Sequence, residues 1–147
     1  MEITILIFLF GGLFLGWSLG ANDAANVFGT AVGTRMVSFT SAAIICSVFV
    51  ILGAIISGAG TTETLGKLGA INALPGAFAA CVAAGISVYL MTKVGLPVST
   101  TQAIVGAIVG WNLYTGSSTN LQVLITILGT WIPVSYTHLT LPTTVRV

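Results

Sequence analysis

Charge is what this sequence has least of: among 147 residues, three are acidic, four are basic and one is histidine. Soluble domains carry about 25% charged residues, and the 5% found here excludes that class. The net charge of +1 comes with no basic cluster. Nothing is offered to the phosphate backbone of a nucleic acid, so no such partner is expected. Cysteine is scarce too: Cys46 and Cys81 stand in apolar runs as small hydrophobes, without zinc spacing or a thioredoxin-type pair. No base and nucleophile pair can be named, so no catalytic residue is assigned and an enzyme is not expected.

What the sequence has in abundance is apolar length, with 56% hydrophobic residues. Residues 3–20, 37–58 and 73–92 are three runs that match a bilayer crossing; the 22 residues of the second rise about 33 Å as a helix. A fourth run, 97–114, opens on polar residues, and a fifth, 121–133, is too short to cross. The expected fold is an all-α, polytopic helical membrane protein with three spanning helices, a fourth segment broken or re-entrant at Ser99 to Gln102, and a truncated fifth. Arg35 and Lys93 outvote Lys67 under the positive-inside rule, which places the N-terminus outside.

Two polar constellations interrupt this lipid-compatible background. The first is Gly20-Ala21-Asn22-Asp23-Ala24-Ala25-Asn26. If the first helix continues through it, Asn22 and Asn26 share a face with Asp23 beside them. An ionised carboxylate at membrane depth costs on the order of 3 kcal/mol, so Asp23 requires a proton, a bound cation or a donor on a substrate. The alternative is an exposed loop with Asn-Asp turn chemistry. Against it stand Ala24, Ala25, Gly29 and Gly33, small residues suited to close helix packing.

The second is Pro97-Val98-Ser99-Thr100-Thr101-Gln102. Proline favours a break before a helix, which puts the three hydroxyls where backbone N–H groups lack partners. Free amides, a positive helix end and uncharged hydroxyl donors suit an oxyanion. Ser99 and Gln102 also fit an S-x-x-Q capping box, which closes a helix end without any ligand. Four consecutive polar side chains opening a membrane segment exceed what capping needs, because such backbone is tolerated there only where protein buries it or water reaches it. Elsewhere ordinary structural roles suffice. Gly106 and Gly110 form a packing face, and Glu63 with Lys67 forms a solvated pair in the connection after the second run.

GANDAANVFGTAVGT, residues 20–34, and GLPVSTTQAIVGAIVGW, residues 95–111, together resemble the two signature segments of the inorganic phosphate transporter family, which includes cation-coupled phosphate and sulfate permeases. The resemblance covers residues 1–133, read as one transmembrane repeat of an inverted-repeat transporter. It implies phosphate symport with sodium or protons as the coupling cation, no further cofactor, and a site lined by Asn22, Asp23, Asn26, Ser99, Thr100, Thr101 and Gln102. Asn22 and Asp23 are the candidate metal ligands. The implied partners are inorganic phosphate, the lipid bilayer of a cell membrane crossed several times, and a missing second repeat or a second copy. Sulfate or another oxyanion is the alternative cargo, and a non-transporting packing subunit the alternative role.

Three departures from the family pattern are visible. Gln102 stands where the pattern usually has histidine, and Val50 where related segments carry glutamate. The third is length, because only one repeat is present. Residues 134–147 resemble a translated sequencing-library adapter and are expected to be non-native, so His138 and Arg146 receive no functional role.

Overall fold

A computed structural model of the chain describes the backbone of residues 2–69, 74–96 and 98–140, and the side chains of residues 3–69, 74–96 and 98–133. It consists of α1 (Glu2–Gly33), α2 (Phe39–Leu68), α3 (Leu74–Lys93), α4 (Thr100–Thr115) and α5 (Leu121–Thr140), with no strand among the described residues. The first three are long and apolar enough to cross a membrane. Leu13, Val27, Phe49 and Ile55 project from them unburied, as lipid-facing side chains do. The chain is an integral membrane protein of the all-α, polytopic helical class.

α1 is the spine. Its 32 residues rise about 48 Å, well beyond a hydrocarbon core of about 30 Å. It passes unbroken through Asn22 to Asn26, so the first polar constellation is a helix segment and the exposed-loop alternative is set aside. The helix stops after Gly33 in a Schellman-type cap: Arg35 N–H donates to Val32 O at 3.0 Å and Met36 N–H to Ala31 O at 2.9 Å. Arg35 takes the left-handed conformation there, at φ 60°.

α3 lies beside α1 and runs in the same direction. Phe8 meets Phe78 edge-on at 5.6 Å, and further along Trp17 meets Tyr89 at 5.6 Å. Between these pairs the helices approach closely because Gly85 has no side chain: a Cβ there would come within 2.7 Å of the Phe14 ring. α3 ends in a second Schellman cap, with Gly95 at φ 75° and bonds from Gly95 N–H to Thr92 O and Leu96 N–H to Met91 O, both 3.0 Å.

After this stop the chain reverses. α4 returns along α3, so that Ala80 near the start of α3 shares a buried cluster with Val105 and Ile108 of α4 and Leu68 of α2. At the far end of α4 the buried Asn112 side chain fills the space beside Gly69, where any Cβ would collide with it. Asn120 N–H donates to Leu68 O at 3.0 Å, which brings the start of α5 to the same end. α3 and α4 therefore form a hairpin whose open end is tied to the end of α2 and whose tip points to the middle of α1. The expected break at Ser99 to Gln102 is corrected: of these only Ser99 is non-helical, along with 94–96 and Val98, and Thr100 to Gln102 already form the first turn of α4 because Ser99 caps it.

The expectation for one ion pair is corrected: Glu63 and Lys67 form their exposed pair within α2, not in a connection, because that helix persists to Leu68. The short fifth apolar run is the beginning of a longer helix, as expected of a truncated one: α5 continues through Pro133 to Thr140. The side chains of residues 134–140, including His138, and all of residues 141–147, including Arg146, lie outside the described residues, as does Pro97.

Candidate oxyanion and cation site

The hairpin tip meets α1 at Asn22 and Asp23. Asn22 is 4% exposed and Thr100 6% exposed, while Asp23 is half-buried. The Thr100 hydroxyl donates to Asp23 Oδ1 at 3.3 Å, joining the two polar constellations directly. Asn22 Nδ2 donates to the same Asp23 oxygen at 2.7 Å and to the Val98 carbonyl at 2.7 Å. Both of its amide hydrogens are thus committed. Asp23 Oδ2 accepts no hydrogen bond among the described residues, and no ion pair reaches this carboxylate among them.

The N-terminus of α4 supplies the donors. Ser99 is its N-cap and accepts from Gln102 N–H at 3.4 Å, so half of the expected capping box is formed. That bond uses a lone pair of Ser99 Oγ and leaves its O–H available to donate. Within the helix the N–H groups of Thr100 and Thr101 have no i−4 carbonyl to bind. An anion at this end would meet amides, hydroxyls and the positive pole of the helix, with Asp23 to one side able to accept from a protonated anion oxygen or to hold a cation.

The sequence-derived residues separate into two groups. Asn22, Asp23 and Thr100 converge, with Ser99 next to them. Asn26, Thr101 and Gln102 are exposed and make no side-chain hydrogen bonds among the described residues. No cluster of three or more His, Cys, Asp or Glu side chains exists among the described residues, so a metal ion here would rely on Asp23 with neutral oxygens.

Sequence reasoning missed three participants. Thr92 reaches Asn22 Oδ1 at 3.5 Å, although its hydroxyl has a shorter contact, 2.8 Å, with Val88 O. The Val98 carbonyl is a backbone group, invisible to any search for polar side chains. Ser18, 1% exposed, lies one turn before Asn22 with a hydroxyl that has no hydrogen-bond partner among the described residues. Its i, i+4 spacing from Asn22 was the available signal.

Asp23 also faces a groove of about 830 Å³ between α1 and α2, whose opposite wall includes Cys46, Ser47 and Val50. The valine at the departure from the family pattern therefore lines the same groove as the acid of the first motif. The walls are otherwise apolar, built from residues such as Gly20, Ala24 and Phe28.

Comparison with known proteins agrees with these motifs. The model of the phosphate transporter family matches residues 19–141. A protein of Pyrococcus furiosus named "Putative phosphate permease" is 39% identical over 141 aligned residues, covering 88% of this chain and 33% of the relative. One of the same name from Thermococcus kodakarensis is 39% identical, covering 80% of this chain and 31% of the relative. Another, from Chlamydia pneumoniae, is 36% identical over 78% of this chain and 29% of the relative. The chain thus spans about a third of the length of these relatives. No solved structure matches. With the family match running through both polar segments that meet at the hairpin tip, the chain belongs to the phosphate transporter family.

Proposed function

We propose that this chain is part of a secondary transporter that carries inorganic phosphate across a cell membrane by symport with sodium or protons. The observation that carries this reading is the 3.3 Å contact between Thr100 and Asp23, which joins an anion-favouring helix end to a lone carboxylate. Phosphate near neutral pH has both charged oxygens for the amides of Thr100 and Thr101 and the hydroxyls of Ser99 and Thr101, and a hydroxyl to donate to Asp23. Sulfate has no such hydroxyl, so it fits the acid less well. The coupling cation belongs at Asp23, with Asn22 contributing only its Oδ1. Asn26 and Gln102 extend the polar lining at its exposed margin.

The relatives' names support phosphate as cargo, and their greater length, of which this chain matches about a third, supports a site completed by further helices or by a second copy. Purified chain in lipid nanodiscs should bind radiolabelled phosphate in competition with sulfate, and more tightly with sodium or at lower pH than in potassium buffer. Reconstituted as a monomer in proteoliposomes it should not transport. Saturable uptake by the monomer would contradict the half-site reading, and indifference to phosphate at every pH and cation would dismiss the function.

A further inference from the structure

We propose that Asn22 and Thr92 are positioning residues for the oxyanion: they clamp the α3–α4 connector to α1 at both of its ends and so hold the start of α4 against Asp23. The inference rests on the phosphate reading for its consequence, but its mechanical part stands on the contacts alone.

The connector runs from the end of α3 to Ser99. Its entry is fixed by the Schellman bonds to Thr92 O and Met91 O. At its exit, Val98 is non-helical, and its carbonyl receives the Asn22 amide at 2.7 Å. A carbonyl left unpaired at membrane depth is strongly disfavoured, so this side chain replaces a bond that regular secondary structure would have made. The second hydrogen of the same amide goes to Asp23 Oδ1 at 2.7 Å. One planar group therefore sets the distance between the carboxylate and the residue that precedes the Ser99 cap. Thr92, the residue two before the first connector position, approaches the remaining atom of the amide, Oδ1, at 3.5 Å. The amide plane is thus fixed from α1 and from the connector, while the Thr92 hydroxyl of α3, whose shorter bond goes to Val88 O at 2.8 Å, lies against its third atom.

A residue with both amide hydrogens committed has none for phosphate. Its loss should act through Thr100 and the free amides of α4, which would no longer be held at Asp23. Asn22→Ala removes two bonds of 2.7 Å together with the Thr92 contact, whereas Thr92→Val removes from this amide only the 3.5 Å contact, its other loss being the 2.8 Å bond to Val88 O within α3, so the effects should be ordered.

The test uses the full chain in nanodiscs with Cys46→Ser and Cys81→Ala, and a reporter thiol introduced by Val98→Cys, which keeps the backbone carbonyl. Alkylation by a water-soluble maleimide should speed up about fivefold or more with Asn22→Ala and less with Thr92→Val, with Thr92→Ser restoring the slow rate. A second reporter, Leu121→Cys at the opposite end, should be unaffected. The apparent phosphate dissociation constant should rise on the order of tenfold in Asn22→Ala, with the number of sites unchanged. Should Asn22→Ala speed up both reporters through general unfolding, the Thr92→Val and Thr92→Ser pair decides. An unchanged Val98→Cys rate in folded variants overturns the clamp whatever phosphate does. A faster rate in a chain that never binds phosphate upholds the clamp and removes the function instead.

Discussion

Asn22 Nδ2 and the Val98 carbonyl oxygen lie 2.7 Å apart although 76 positions separate them in the chain. This bond turns two distant polar segments into one locus. It is made possible by α1 continuing far beyond the length of a bilayer crossing and by Gly95, whose φ of 75° lets α3 stop and reverse at that height. The Asn22 amide and Asp23 Oδ1 are consequently satisfied before any ligand arrives, which helps a carboxylate to be carried on a lipid-compatible helix and leaves Asp23 Oδ2 for a ligand.

Asp23→Asn tests the charge with little change in shape. The Thr100 hydroxyl can still donate to the amide oxygen, so the fold should persist with its unfolding midpoint shifted only slightly. Cation enhancement of phosphate binding should disappear, and affinity in the presence of the favoured cation should fall about tenfold or more. Equilibrium binding in sodium and in potassium buffer measures both. Retention of full cation enhancement by the variant would remove Asp23 from the cation's surroundings.

Thr100→Val removes the hydroxyl that touches Asp23 while preserving β-branching. Loss of one hydrogen bond to a charged acceptor should cost about 1.5–3 kcal/mol in the apo chain. Phosphate affinity should fall as well, because the same hydroxyl anchors the start of α4 at Asp23. Thr100→Ser should recover most of both. Thermal unfolding in detergent and radioligand binding report the two effects separately, and equal behaviour of the valine and serine variants would assign Thr100 to packing alone.

Much of this arrangement was legible in the residues, for reasons that differ along the chain. Apolar run length gave the membrane class and the three spanning helices directly, since bilayer thickness sets a length that sequence counts. The break before α4 followed from a polar start after Pro97, and Ser99 caps as its spacing to Gln102 implies. The continuation of α1 through Asn22 to Asn26 was readable only conditionally. Local chemistry there allows both a turn and a helix, and packing of α1 on α3 decides. The contact between motifs could not be read at all, because it depends on where α3 stops relative to α1. That height is set by Gly85 and by the aromatic pairs along the interface. The roles of Thr92 and of a backbone carbonyl were hidden for the same reason.

Gly85→Ala probes that interface. The added methyl would stand 2.7 Å from the Phe14 ring and 3.4 Å from the Leu15 Cα, so the ring must shift, or α1 and α3 move apart. Overpacking of this kind typically costs about 1–3 kcal/mol. Gly12→Ala is the matched control, with nothing within 4 Å of its added Cβ, and should be neutral or slightly stabilising. Unfolding midpoints should separate the two variants. Displacement of α3 should also lengthen the reach from Asn22 to the connector, so Gly85→Ala is expected to weaken phosphate binding from a distance.

Gln102→His places a titratable ring in the first turn of α4, where the side chain is exposed and only the backbone N–H is engaged, by Ser99. Free imidazole side chains titrate near about 6.5, and the positive helix end disfavours the cation, which moves the value down. The neutral ring should therefore prevail at pH 7 and leave phosphate binding close to that of the parent. As pH falls through the shifted value the imidazolium adds a positive charge at the anion's side, and affinity for phosphate should rise relative to the glutamine protein. Phosphate's own titration is common to both proteins and cancels in the ratio of their binding constants. A ratio that stays flat from pH 7.5 to about 5 would place Gln102 outside the electrostatic reach of the anion. A ratio that rises on acidification would locate the bound phosphate at this helix end without any change to Asp23 or Thr100.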